Sequence, residues 1–365
     1  MESQKEKLIL PNLNNYFNFK CFNELHANKE FLLSPLSITY AMLMTYFASE
    51  SITREELKKV FGIKDISDEQ LMEEMSILKK LLSFNFDETK LILANATYIK
   101  HSFQLNEKYQ KKVESFGTIV RVNFMDPETV PKINQWVSQN TRNLINNLLS
   151  SSNVGDSTQM ILLNTLYFKG TWMKSFDKKL TTKNKFLKLS NEIVELDLMH
   201  KKSILPYFED ENCQVVELPY HNNFVFGVIL PKNSFTFPTD PSSYHNKLKA
   251  NYNIILHLPK FTQRNKMSLK ETFKFFGVNS LFDKADLSNM TTESNIKVDD
   301  IIHEVVITVE EEGTEAAAAT AVIMKRSSHG IGETSEKIFR ADHTFMYYIR
   351  DLKTNIILFN GVFDG

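Results

Sequence analysis

Two clusters in this 365-residue chain have residue types and spacing suited to chemistry, and neither is a catalytic constellation. Lys325 and Arg326 stand side by side between the apolar run 321–324 and a polar stretch, 327–337, that reads Ser-Ser-His-Gly-Ile-Gly-Glu-Thr-Ser-Glu-Lys. An arginine guanidinium presents a planar fork of donors, which a pocket carrying a carboxylate binds bidentately. Upstream, Glu311-Glu312-Gly313-Thr314-Glu315-Ala316-Ala317-Ala318-Ala319-Thr320 begins acidic and turns small. It follows Val305-Val306-Ile307-Thr308-Val309, which reads as a strand. Taken alone, the segment fits a helix start, with Thr314 as cap and alanines as helix formers. It fits equally a segment whose small side chains let it enter a crowded place.

The other reactive side chains assemble nothing. Nine histidines are scattered. There is no His-Glu-x-x-His helix, no Gly-x-Ser-x-Gly elbow, no Walker loop and no Gly-x-Gly-x-x-Gly after a strand. Gly330-Ile331-Gly332 sits in the polar stretch without a following helix and reads as a turn. His303-Glu304 lacks the second histidine that a metal would need. Cys21 and Cys213, far apart and outside any nucleophile motif, read as buried structural thiols rather than a disulfide framework or four-thiolate site. No enzyme, metal or cofactor is expected. A formal net charge of -1 excludes nucleic acid and anionic membrane as expected partners. The longest apolar runs, 224–230 and 356–359, are too short to span a bilayer. No signal-peptide core follows Met1, so a cytoplasmic home, or secretion without a cleaved signal, is expected.

Several elements can position these residues. Residues 67–82 form the clearest helix, with Ser67 and Gln70 as a capping box and Leu71, Met75, Leu78 and Leu82 on one face. Residues 35–47 follow Ser34, a good cap, and 133–149 form a third helix. Strand-like runs at 91–99, 160–168, 224–230, 254–258, 345–349 and 356–363 are mostly rich in β-branched and aromatic residues. The last two are joined by a short, mostly polar connection suited to a hairpin. Helices dominate the first half and strands the second, which predicts an α+β fold with large, mainly antiparallel sheets. No linker divides the chain and no repeat is present, so residues 1–365 read as a single domain.

At this point the chain resembles the serpin family from its first apolar helix to its last strand. Asn164-Thr165-Leu166-Tyr167-Phe168-Lys169-Gly170-Thr171-Trp172, then Phe176, is similar to Asn-Ala-x-Tyr-Phe-Lys-Gly-x-Trp. Leu32-Leu33-Ser34-Pro35-Leu36-Ser37-Ile38 resembles Phe-x-Ser-Pro-x-Ser-Ile, with Leu32 for phenylalanine. Glu217-Leu218-Pro219-Tyr220 with Ile229-Leu230-Pro231, and Leu258-Pro259-Lys260-Phe261, match further segments in order. Ala341-Asp342-His343-Thr344-Phe345 resembles Ala-Asp-His-Pro-Phe, with Thr344 for proline. The 311–320 segment resembles the hinge of inhibitory members.

The resemblance implies three β-sheets, eight or nine helices and an exposed reactive-centre loop, here about 311–340. A serine protease attacks such a loop and forms an acyl-enzyme. The cut loop then enters the largest sheet as a new strand and distorts the trapped protease, so the metastable fold acts once. Residue chemistry fits an inserting strand. The alternating set Thr314, Ala316, Ala318, Thr320, Val322 and Met324 begins small and becomes apolar, and no proline interrupts 313–324.

By match, Ser34, Ser37, Asn164 and His303 occupy the family's shutter, while Trp172, Gly313 and a Lys260–Glu311 ion pair occupy its breach. In most inhibitory members the residue before the cut lies about fourteen positions after the hinge glycine, so the resemblance implies Ser327, with the cut before Ser328. A loop one residue shorter gives Arg326, which the basic pair favours. Arg326 suits a trypsin-like protease; Ser327 suits an elastase-like one. A cysteine protease of cathepsin type, or a non-inhibitory carrier or chaperone role, are the alternatives. The 67–82 helix carries no basic stripe, so activation by a heparin-like polyanion is not expected; a monomer is. Ala48-Ser49-Glu50-Ser51-Ile52-Thr53 departs from the family's Gly-Ala-x-Gly-x-Thr by lacking both glycines, and the usual C-terminal proline is absent.

Overall fold

The computed structural model describes residues 8–25, 29–82, 85–86, 89–232, 237, 241–314 and 336–365. Among them are eight α-helices: Leu10–Leu25, Pro35–Ala48, Ser51–Phe61, Asp68–Leu82, Glu107–Val113, Thr129–Asn140, Lys270–Phe275 and Ser280–Asp283. Pro35–Ala48 is buried at every position. A helix with apolar residues on every side and only small polar ones among them lies inside, and this one packs against Thr89–Lys100, Met160–Thr171 and Ile357–Phe363. Ser34 starts it: its side chain accepts from Ser37 N, and Pro35 occupies the first turn, where no amide partner is needed.

A seven-stranded sheet carries the region of interest. Its order is Phe261–Ser268, Asp300–Val309, Gly313–Thr314, Met160–Thr171, Thr89–Lys100 and Asn85–Phe86, with Thr118–Val122 also on Thr89–Lys100. Asp300–Val309 and Met160–Thr171 run parallel and bond directly from Asp300↔Ile161 to Val305↔Leu166. Beyond that, Gly313–Thr314 lies between them, antiparallel to both. The junction of these two strands is called the seam below.

The second sheet has nine strands and contains Phe31–Leu33, Ile357–Phe363, Phe345–Asp351, Phe224–Pro231, Cys213–Pro219, Ile193–Glu209, Lys249–Pro259, Glu336–Arg340 and Thr182–Leu187. Two of the three expected sheets are joined here by hydrogen bonds. The 17-residue strand Ile193–Glu209 pairs along most of its length with Lys249–Pro259, and only Tyr207–Glu209 pair with Cys213–Pro219.

Two boundaries differ from expectation. The helix expected over 133–149 is Thr129–Asn140. It stops because the Thr141 hydroxyl donates back to Val137 O (2.8 Å) and accepts from Ile145 N (3.2 Å), while Arg142 and Asn143 turn left-handed at φ 49° and 64°. Residues 141–150 then lie as an irregular flap over the sheet. The 311–340 span expected as loop also ends earlier, because Glu336–Arg340 is a strand parallel to Lys249–Pro259. Among the described residues no helix is long and apolar enough to cross a membrane.

Candidate functional site

The top of the seam is built around three successive carbonyls. Trp172 Nε1 donates to Glu310 O (2.9 Å), Phe176 N to Glu311 O (2.8 Å) and Trp172 N to Glu312 O (3.0 Å). This fixes the chain as it leaves Val309 and turns back into the sheet. Gly313 then pairs with Thr171, and a Cβ there would lie 2.1 Å from Gly170 O, so only glycine permits the approach. Thr314 is 1% exposed. Its hydroxyl hydrogen-bonds to Tyr220, whose ring stacks on Trp172 at 4.2 Å and 8°.

The Glu311 carboxylate is buried beside this turn. Lys260 Nζ lies 3.2 Å from one oxygen, and the Thr181 hydroxyl donates to the other at 2.8 Å. Burial alone pushes this carboxyl up. A backbone amide, Thr181 and Lys260 together outweigh burial and hold it below the usual range. Glu312 pairs with the mostly exposed Lys178 at 2.5 Å. Lys201 is the odd member. It is buried, donates to Lys174 O (2.9 Å), and sits over Phe176 at 4.1 Å and Trp172 at 5.7 Å, and burial pulls its amine down to about 7.

Lower on the seam, facing helix Pro35–Ala48, four fully buried polar residues meet. Ser34 N donates to His303 Nε2 (3.1 Å), so that nitrogen is an acceptor. Burial holds the imidazole neutral, with its pKa lowered to about 3. Nδ1 therefore carries the proton and donates to Asn164 Oδ1. Ser37 Oγ donates to the same oxygen (3.3 Å), and Ser37 N to Ser34 Oγ (3.3 Å). His303 and Asn164 are direct register partners, so the net crosses the seam.

The structure thus brings together Ser34, Ser37, Asn164 and His303 at one level, and Trp172, Lys260, Glu311, Glu312, Gly313 and Thr314 at another. Glu315, Ala316, Ala317, Ala318, Ala319, Thr320, Arg326, Ser327 and Ser328 lie outside the described residues. Sequence reasoning missed three participants. Tyr220 was legible only as the end of a strand motif, Thr181 carried no signal, and Lys201 had only a local alternation with the buried Met199 and Leu205, in a strand along which no single alternation runs. Among the described residues, no group of three or more histidine, cysteine, aspartate or glutamate side chains is placed to hold a metal.

A family model described as Serpin (serine protease inhibitor) matches residues 12–364. The chain belongs to the serpin family. Human Serpin B3 is 30% identical to this serpin over 98% of this chain and 99% of its own length. The leukocyte elastase inhibitor of Xenopus laevis is 30% identical over 94% and 95%. Among solved structures, Serpin48, described as a highly specific serpin in the insect Tenebrio molitor, superposes with a TM-score of 0.85 at 27% identity, covering all of both chains. The α+β fold is the serpin fold.

Proposed function

We propose that this serpin is a single-domain, single-use inhibitor of serine proteases, and that residues 315–335 carry the bait. One observation supports the reading above the rest. Gly313–Thr314 already occupies the top of the seam as a short third strand, with Thr314 buried on Tyr220. A cut further along the chain frees the residues after Thr314 to continue along that track, where Ala316, Ala318 and Thr320 present small inward side chains. The protease is then carried with the inserting strand as an acyl-enzyme. Glu311 with Lys260 and Trp172 holds the entry, and the Ser34–His303–Asn164 net lies under the strands that part. A relative that carries the name leukocyte elastase inhibitor supports protease inhibition as the task. Arg326 is the favoured residue before the cut, which makes a trypsin-like protease the favoured target. Ser327 with Ser328 is the second choice, for an elastase-like one.

Incubation with a panel of trypsin-like, elastase-like and cathepsin-like proteases tests this. The expected result is an SDS-stable complex with a trypsin-like enzyme and a C-terminal peptide, detected by mass under denaturing conditions, that begins at Ser327. A peptide beginning at Ser328 moves the bond by one residue. Cleavage by every protease without any stable complex overturns the inhibitory reading.

A further inference from the structure

The face of the seam opposite His303 is covered by helix Thr129–Asn140 and the 141–150 flap. Ile133, Val137, Ile145, Leu148 and Leu149 pack as one cluster on Ile161 and Leu163 from one seam strand and on Ile302 from the other. The cover therefore spans the junction. A strand entering a sheet separates its neighbours by about 4.8 Å, so the cover cannot keep its hold on both sides while the seam opens.

Polar ties fasten the flap to each side separately. On the Asp300–Val309 side, the adjoining strand Phe261–Ser268 sends up two cations. Arg264 Nη2 donates to Leu144 O (2.5 Å) and Lys266 Nζ to Asn147 O (3.2 Å). On the other side, the Arg142 guanidinium lies 5.5 Å over the ring of Tyr167, a residue of Met160–Thr171. Arg264 has a second task. Its Nε lies 3.0 Å from Glu304 Oε1, and Glu304 is a seam residue, 3% exposed, paired in register with Thr165. Glu304 Oε2 and Thr165 Oγ1 find no hydrogen-bond partner among the described residues. The seam thus holds a buried carboxyl that burial pushes up, with Arg264 and Lys266 pulling it back, beside an unsatisfied hydroxyl. This stretch is held shut from above more than by its own side-chain bonds.

We infer that Arg264 and Lys266 latch the 141–150 flap over the seam, and that their release sets how fast the seam takes in a strand. The inference rests on the insertion mechanism proposed above. Both cations act through the flap carbonyls, so they are positioning residues. A fast latch lets insertion outrun hydrolysis of the acyl-enzyme; a slow one sends the encounter toward plain cleavage.

A synthetic peptide copying residues 314–325, added to the uncleaved protein, reads seam opening without any protease, with uptake followed as a shift on a native gel. Lys266→Met removes one tie and is expected to speed uptake about twofold, the scale of an exposed polar contact. Lys266→Met with Arg264→Met and Glu304→Gln removes both ties without leaving a buried charge unpaired, and is expected to speed uptake about tenfold. Arg54→Met, which removes a guanidinium bound to Asp68 and stacked on Tyr46, serves as the control: it lowers stability with uptake unchanged. Uptake at the wild-type rate in both latch variants, or equal acceleration in Arg54→Met, overturns the latch. Faster uptake in a protein that traps no protease keeps the latch and overturns the inhibitor. Failure of every form to take up peptide overturns both.

Discussion

At the top of the seam the two central strands are held apart by Gly313 and Thr314, and lower down, from Val305↔Leu166 to Asp300↔Ile161, they bond directly. The two levels are stabilised by different chemistry. The top relies on backbone carbonyls of 310–312, taken up by Trp172 and Phe176, and on an aromatic floor of Trp172 and Tyr220. The middle relies on one neutral side-chain net in which His303, Asn164, Ser34 and Ser37 each serve another member. A site held by backbone and flat rings can admit a sequence of small side chains in turn. A polar net that crosses the seam through His303 and Asn164 has to be taken apart before a strand can pass, and so acts as a stop. An inserting strand therefore begins where the chemistry is permissive and must displace a specific structure to continue.

The largest effect that would break this contrast is a charge at the permissive level. Thr314→Arg buries a guanidinium against Tyr220, and each 1.4 kcal/mol it adds to the insertion barrier slows insertion about tenfold. The stable complex is expected to give way almost wholly to cleaved serpin on a denaturing gel; an undiminished yield refutes the role of Thr314. At the specific level, His303→Ala strands Ser34 N–H and Asn164 in the core. It is expected to cost about 2–4 kcal/mol of unfolding free energy, measured by denaturant titration.

Acid probes the same net without mutation. His303 stays neutral in the fold down to about pH 3, whereas the unfolded chain takes up a proton near 6.5. Between those values the unfolded state binds more protons, so stability falls as pH drops through the window and is unaffected above it. The slope is expected to flatten in a His303→Gln variant, and an identical slope would remove His303 as the cause. Lys201 gives the same sign in a higher pH window, at the permissive level. Its folded value of about 7 lies below the ordinary 10.5, so the unfolded chain alone is protonated between them and stability rises with pH across that range. Lys201→Met is expected to remove that rise, seen as wild-type and variant melting temperatures that converge at high pH. The smallest effect belongs to Lys260→Ala, expected to cost about 1 kcal/mol, since the lysine is 39% exposed although Glu311 is not.

Much of this was legible before any coordinates. The helix at 35–47 and the strands at 160–168 and 224–230 are predominantly apolar on every side, with only a few small polar residues such as Ser37 and Asn164, and such runs read as buried. The strand Ile193–Glu209 was not legible: it carries Lys201, Lys202 and Pro206, and its two halves face different neighbours, so no single alternation runs along it. The helix expected to reach 149 stops at Asn140, because Thr141 satisfies the backbone locally, a choice that propensity cannot weigh against a following apolar run. At the site, Ser34, Ser37, Asn164 and His303 lie together at one level of the seam, and Trp172, Lys260, Glu311 and Gly313 at another. Their partners Tyr220, Thr181 and Lys201 come from other strands and loops, and only folding makes them neighbours.

The chain leaves the seven-stranded sheet at Thr314 and re-enters the nine-stranded one at Glu336. A break between those points divides the protein into two polypeptides of very unequal size. The shorter contributes Phe345–Asp351 and Ile357–Phe363, every residue of which is buried in the interior of its sheet. It pairs on one side with Phe224–Pro231 and on the other with Phe31–Leu33, both from the longer piece. Scission would therefore leave a tightly associated heterodimer of fragments, in which the small one behaves as a permanently bound subunit that only denaturant can dissociate.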